Sequence, residues 1–181
     1  MTSSPLAVAA LDLATAHEIP SVLNHSVRTH AYALLHAEKL GISYDADLLF
    51  AACVLHDLGS APAYDGPQRF EVEGADAAAS LLASHGRTAE EIDQVWQAIA
   101  LHTSPGIVER RGAVPHLTRL GIRTDFFSMA IPDEARAAVE REYPRLGLDH
   151  ELGALLVEQA LRQPEKARPS SWVADLVRSA G

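Results

Sequence analysis

Residues 48–59, Leu-Leu-Phe-Ala-Ala-Cys-Val-Leu-His-Asp-Leu-Gly, set an imidazole and a carboxylate at the end of a stretch that is apolar on every side. A helix hydrophobic all round belongs in the middle of a protein. The segment therefore predicts a buried central helix, capped by Asp45 or Asp47 and ending at Gly59. An ionised carboxylate at such a place is expensive to bury without a partner. Asp57 needs one, and whatever supplies it has to come from elsewhere in the chain.

The remaining segments read as helices that wrap this one. Pro5 to His17 forms a short Ala- and Leu-rich helix broken by Ile19-Pro20, and a longer helix runs from about Ser21 to Leu40, stopped by Gly41. After the loop Ser-Ala-Pro-Ala-Tyr-Asp-Gly-Pro-Gln comes a helix from about Val72 to Ser84. Thr88 and Glu91 make a capping box for a helix containing Trp96, Ile99 and His102, which Ser104-Pro105-Gly106 interrupts. Further helices are expected over His116 to Met129, with Gly121 inside, over Asp133 to Glu142 and over Asp149 to Gln163, then a last one capped by Ser170 or Ser171. No strand alternation, repeat or low-complexity linker appears. The expectation is one all-α domain over residues 1–181, a length that suits a single buried core.

Charge narrows the partners. Fifteen Lys and Arg against 24 Asp and Glu leave a net charge of −9, which disfavours nucleic acid or an anionic membrane. No apolar run approaches the ~20 residues that span a bilayer. The lone Cys53 excludes an intrachain disulfide and any Cys-rich zinc motif. With no signal-peptide pattern at the amino terminus, a cytoplasmic protein acting on a small molecule is expected. Leu152 to Leu161 offers an apolar face for a homo-oligomer, although the same pattern serves an intrachain core.

Adjacent helical residues differ by ~100° in direction, so His56 and Asp57 reach one ion only where geometry favours it and other donors join them. His25, on the preceding long helix, and Asp125, on a later one, complete a set of two imidazoles and two carboxylates. Such N and O donors suit zinc, iron or manganese and leave positions for water. The plain alternative is a hydrogen-bonded helix end.

His25-Ser-Val-Arg28, thirty-one residues before His56-Asp57-Leu-Gly59 and with Asp125 downstream, resembles the HD-domain superfamily of metal-dependent hydrolases. The likeness covers roughly residues 21–130, leaving the helices over 133–181 beyond it. Arg69-Phe-Glu71-Val-Glu73-Gly-Ala75 and Ala98-Ile-Ala-Leu-His102-Thr-Ser-Pro-Gly106 look like segments of cyanamide hydratase and its relatives, one branch of that superfamily. The resemblance implies a hydro-lyase with one divalent ion, zinc favoured, whose activated water adds to the nitrile carbon of cyanamide to give urea. Phosphohydrolase members often carry Lys where this chain has Ser60, and dinuclear members a His where it has Phe70-Glu71-Val72-Glu73. The first departure removes a cation that helps hold phosphate; the second removes a ligand of a second metal and favours a mononuclear centre, with Glu71 or Glu73 as substitutes for that ligand.

On this reading the ligands are His25, His56, Asp57 and Asp125, and Asp57, His102 and Glu71 are the catalytic candidates. His102 serves as hydrogen-bond donor or proton shuttle, and Glu71 as a base or supporting acid, unless it only favours a helix start. Arg28, Arg69, Thr103 and Ser104 are expected to bind substrate, with pairing to a nearby carboxylate or plain solvation as the alternatives for Arg28 and a bare turn for Ser104. His30 reads as a core histidine, His36, His85 and His116 as surface or loop residues, Cys53 as a buried small group, and Trp96 and Trp172 as packing. The competing functions are an HD-type phosphohydrolase, with Arg28, Arg69 or Arg123 holding phosphate, and a regulatory domain with a structural metal.

Overall fold

Helix α1 (Pro5–His17) begins at Ser4, whose hydroxyl accepts from the Ala7 amide at 3.1 Å, and ends at Glu18. Proline cannot continue a helix but is favoured as its first residue, so Pro20 opens α2 (Pro20–Leu40) immediately. Gly41, at φ +64°, closes α2 in the left-handed conformation that glycine adopts without penalty. These positions belong to a computed structural model, which describes residues 4–127, 129 and 131–180.

Helix α3 (Ala46–Leu55) is the predicted central helix, and every residue from Leu48 to Leu55 is buried. Of the two candidate caps it is Asp45 that accepts from the amides of Asp47 and Leu48, each at 2.9 Å. The helix stops at Leu55, four residues before the expected Gly59. His56 and Asp57 form a turn and Leu58–Ser60 one turn of 3-10 helix. The cause is packing: a Cβ on Gly59 would lie 1.9 Å from the Phe70 carbonyl oxygen, so the chain bends where only glycine fits against the next helix.

That helix, α4 (Phe70–Ser84), starts two residues earlier than expected and so includes Glu71. Helix α5 (Ala89–Ala100) opens on the expected capping box, Thr88 N–H donating to Glu91 at 2.7 Å and Glu91 N–H to the Thr88 hydroxyl at 3.3 Å, but ends short of His102. Helix α6 (Ala113–Phe127) begins three residues early and leaves Met129 outside. A Cβ on Gly121 would sit 2.2 Å from the Thr29 carbonyl oxygen, which is how closely α6 lies on α2. Helices α7 (Asp133–Glu142), α8 (Leu148–Arg162) and α9 (Trp172–Ala180) follow, the last capped by Ser171, which accepts from the Ala174 amide at 3.1 Å.

The fold is all-α. Among the described residues there is no strand, and no helix is long and apolar enough to cross a membrane. The main core gathers around α3, and a second joins Val22 and Phe70 to Leu148, Leu152, Leu156, Ala160 and Val173. Of the apolar residues of α8, Leu152 and Leu156 thus face this core, whereas Leu161 is exposed. Gln159 donates from Nε2 to the carbonyls of Gly59 and Ser60, both at 3.1 Å, and buried Lys166 meets Asp65 at 2.7 Å. These bonds fasten the carboxyl-terminal helices to the loop that follows His56-Asp57.

Candidate metal centre

His56 and His102 each stand just past the end of a helix and make the same contact. Each turns its ring back to a carbonyl three residues earlier, His56 Nδ1 donating to Cys53 at 2.8 Å and His102 Nδ1 to Ile99 at 2.7 Å. The last carbonyls of a helix have no amide partner within it, so each ring caps its own helix. A carbonyl only accepts, which places the proton on Nδ1 and leaves Nε2 as a bare lone pair. His25, buried in the second turn of α2, reaches the same state differently, by donating from Nδ1 to Asp125 Oδ2 at 2.7 Å.

Three lone pairs therefore converge on Asp57. Its Oδ2 lies 3.5 Å from His25 Nε2 and 3.2 Å from His56 Nε2, and its Oδ1 lies 3.6 Å from His102 Nε2. His25 Nε2 and His56 Nε2 are 3.1 Å apart. Two acceptors facing each other at that distance repel unless something positive lies between them. His25, His56 and Asp57 form a compact trio able to hold a metal ion. The carboxyl ends of α3 and α5, the negative poles of their helix dipoles, open onto the same spot and favour a cation. The donors present fit a divalent ion.

Burial would lift the Asp57 carboxyl, but the surrounding imidazoles, His56 foremost, hold it well below the usual range, so it stays ionised. Burial lowers His25, an effect partly offset by its bond to Asp125. In His56 burial is outweighed by Asp57, which raises it. His102 is pushed down to about 4 by burial and then by His56, so it is neutral at pH 7.

Asp125 is placed otherwise than expected. It stands on the Nδ1 side of His25, away from the trio, and both its oxygens are taken. Arg28 grips it through Nε at 2.8 Å and Nη2 at 2.7 Å, and Arg145 Nη1 reaches Oδ1 at 3.1 Å. It lies outside the compact trio and holds the His25 ring through Nδ1, an outer contact of the kind that fixes the ring and raises its basicity. Arg28 is wholly buried in that pair and in a 2.9 Å bond to the Tyr143 carbonyl, so the expected substrate contact gives way to the carboxylate pair.

Glu71 is buried beside the site and does not line its cavity. It accepts from Arg69 Nη2 and, at 2.6 Å, from the Thr103 hydroxyl. Arg69 is thereby withdrawn from the cavity, which Thr103 lines and Ser104 does not. Ser104 instead holds the turn, its amide donating to Leu101 at 2.8 Å.

The cavity, about 360 Å³, has His25, His56, Asp57 and His102 at its floor. Its walls are Ile122, Phe126 and Phe127 of α6, Leu152 of α8 and Trp172 of α9, with Arg119 and Asp175 as charged residues. Trp172 is thus a wall of the site and not mere packing. Arg119 went unnoticed in the sequence, although its spacing to Ile122 and Phe126, three and then four residues, is that of one helical face. Glu18 was missed as well. It is buried, accepts from the Ser26 hydroxyl at 3.2 Å, leaves Oε1 without a hydrogen-bond partner among the described residues, and is raised by burial and by Asp57.

The other expectations divide. His30 is a core residue edge-on to Phe50, and Cys53 a buried thiol raised to about 12. His36 is buried too, contrary to expectation, with its Nε2 2.7 Å from the Thr124 hydroxyl. His116 lies within α6, whereas His85 is exposed at the end of α4.

Residues 22–171 match the model of the HD domain, so the match takes in the carboxyl-terminal helices as far as the start of α9. The chain belongs to the HD-domain family. Members of that family are in general metal-dependent hydrolases, and the His-His-Asp cluster is where this chain has the means to bind a divalent ion. No curated protein matches the sequence.

Proposed function

We propose that the protein hydrates a small nitrile-like substrate, cyanamide first, giving urea at a mononuclear centre held by His25, His56 and Asp57. The observation that carries the reading is the convergence of three imidazole lone pairs on Asp57 at the floor of a largely apolar cavity. Arg28 and Arg69, two of the three cations offered for phosphate, are both engaged by carboxylates outside it. A divalent ion, zinc by preference, supplies Lewis acidity that lowers the pKa of a water from ~16 toward ~7.

The side chains account for the rest. His102, neutral and with Nε2 free, takes a proton from the attacking water as its oxygen bonds to the nitrile carbon. One C–N π pair moves to nitrogen, which receives the proton back from His102; tautomerisation of the hydroxy-imine gives the amide. Thr103, fixed by Glu71, offers the substrate a hydroxyl oxygen at the cavity wall.

The test is urea formation from cyanamide by the zinc-loaded protein, with metal content measured alongside and Asp57→Ala as control. The expected result is urea from the wild type and neither urea nor metal in the variant. Metal-loaded wild type that forms no urea sinks the cyanamide reading, and full activity in a metal-free variant sinks the role of the ion. One observation favours a second reading. Arg119 lines the cavity, and cleavage of phosphate esters in place of urea formation would make the protein a phosphohydrolase.

A further inference from the structure

We propose that Arg119 is a specificity-determining residue that docks an anionic group, carboxylate or phosphate, on a substrate whose apolar body lies against α6 and α9. The inference rests on reading the His-His-Asp cluster as the reacting centre.

Size is the first argument. A cavity of about 360 Å³ lies in the range of sites that enclose drug-sized molecules, ~300–1,000 Å³. Cyanamide alone fills a small part of it. Phe126, Phe127 and Trp172 are suited to an apolar body in the remainder.

Charge is the second argument. The Arg119 guanidinium is anchored at one corner, Nη1 donating to the His102 carbonyl at 2.7 Å. Its Nε is buried and has no hydrogen-bond partner among the described residues. Glu109 Oε1 stays 3.9 Å from it, beyond hydrogen-bond reach, while the other carboxylate oxygen accepts from the Gly106 amide at 2.7 Å. Burial works against the charge of Arg119. A partly desolvated cation with an idle donor gains most from an anion that meets its planar fork. Asp175, an acid that also lines the cavity, is already paired with Arg178 of its own helix.

The experiment is calorimetric titration of the full-length, zinc-loaded protein with benzoate, phenyl phosphate and the neutral benzyl alcohol. Because zinc also attracts anions, each titration is repeated on metal-free protein. In both forms the wild type is expected to bind the two anions at least about tenfold more tightly than the alcohol. Arg119→Gln should erase that preference and leave alcohol binding unchanged. Arg119 also holds the His102 carbonyl, and a merely structural role would weaken all three ligands together. Arg119→Lys keeps the charge without the fork, so a partial preference is expected there even if the glutamine variant folds poorly. An equal preference in wild type and Arg119→Gln, or none in either, overturns the proposal. Hydration of cyanoacetate over acetonitrile would identify the anion as a carboxylate, and cleavage of phenyl phosphate as a phosphate. Anion binding that depends on Arg119 in a protein inert toward cyanamide would uphold this inference while the cyanamide reading fails.

Discussion

Asp125 meets three cationic or donating groups at once, and its substitution separates orientation from charge. Asp125→Asn keeps the shape but weakens the acceptor for His25 Nδ1 and leaves Arg28 without its counter-charge. Loss of such a supporting contact costs metal affinity by about 10–100-fold, to be read from competition with a zinc chelator. Asp125→Ala empties the place as well, and an unpaired buried arginine should cost about 3–5 kcal/mol in urea denaturation. Wild-type zinc affinity in Asp125→Asn would mean that the carboxylate does not tune the histidine. The residues of this centre were legible in the sequence because a His-Asp pair stands out against an apolar run. Their division into ion-facing and supporting groups was not. That depends on which ring nitrogen meets which atom, a matter of ångströms that spacing does not encode. His36 misled for a related reason, since its environment is Thr124 of α6, 88 residues away.

Helices were readable one by one from periodicity and caps, and α1, α2 and α7 lie close to where the pattern puts them. Their ends slid wherever another helix decided the matter. Gly59 looked like a terminator, yet its role is to let the chain pass the carbonyl of Phe70. Gly59→Ala should therefore shift the His56-Asp57 turn, lowering both bound metal and melting temperature. Gly41→Ala is the contrast. It meets open space and only the strain of positive φ, about 1–2 kcal/mol, so its metal content should stay at the wild-type level. Equal metal loss in both variants would show that general instability, not the turn, empties the site.

Across the whole molecule, the carboxyl-terminal helices take part in the site, and the resemblance that faded near Met129 gave no sign of it. Contacts such as Trp172 with Phe70, or Gln159 with Gly59, join residues about a hundred positions apart. Asp65 reports on this closure. Burial would raise its carboxyl, but hydrogen bonds from Lys166 and then Arg162 hold it below the ordinary value. A depressed folded pKa contributes stability above the unfolded value, near 3.9, and loses it as pH falls through the folded one. Urea denaturation from pH 7 to 3 should thus show wild type more stable than Asp65→Asn at neutral pH, with the gap closing below about pH 4. A gap independent of pH would mean that the pair matters by shape alone. The His-His-Asp cluster sits on α2 and on the turn after α3, with His102 just past α5, whereas most of the enclosing wall is lent by α6 and α9. Reactivity and selectivity are thereby written in different stretches of one chain. A lineage built on this plan can exchange what it admits while conserving what it does to it.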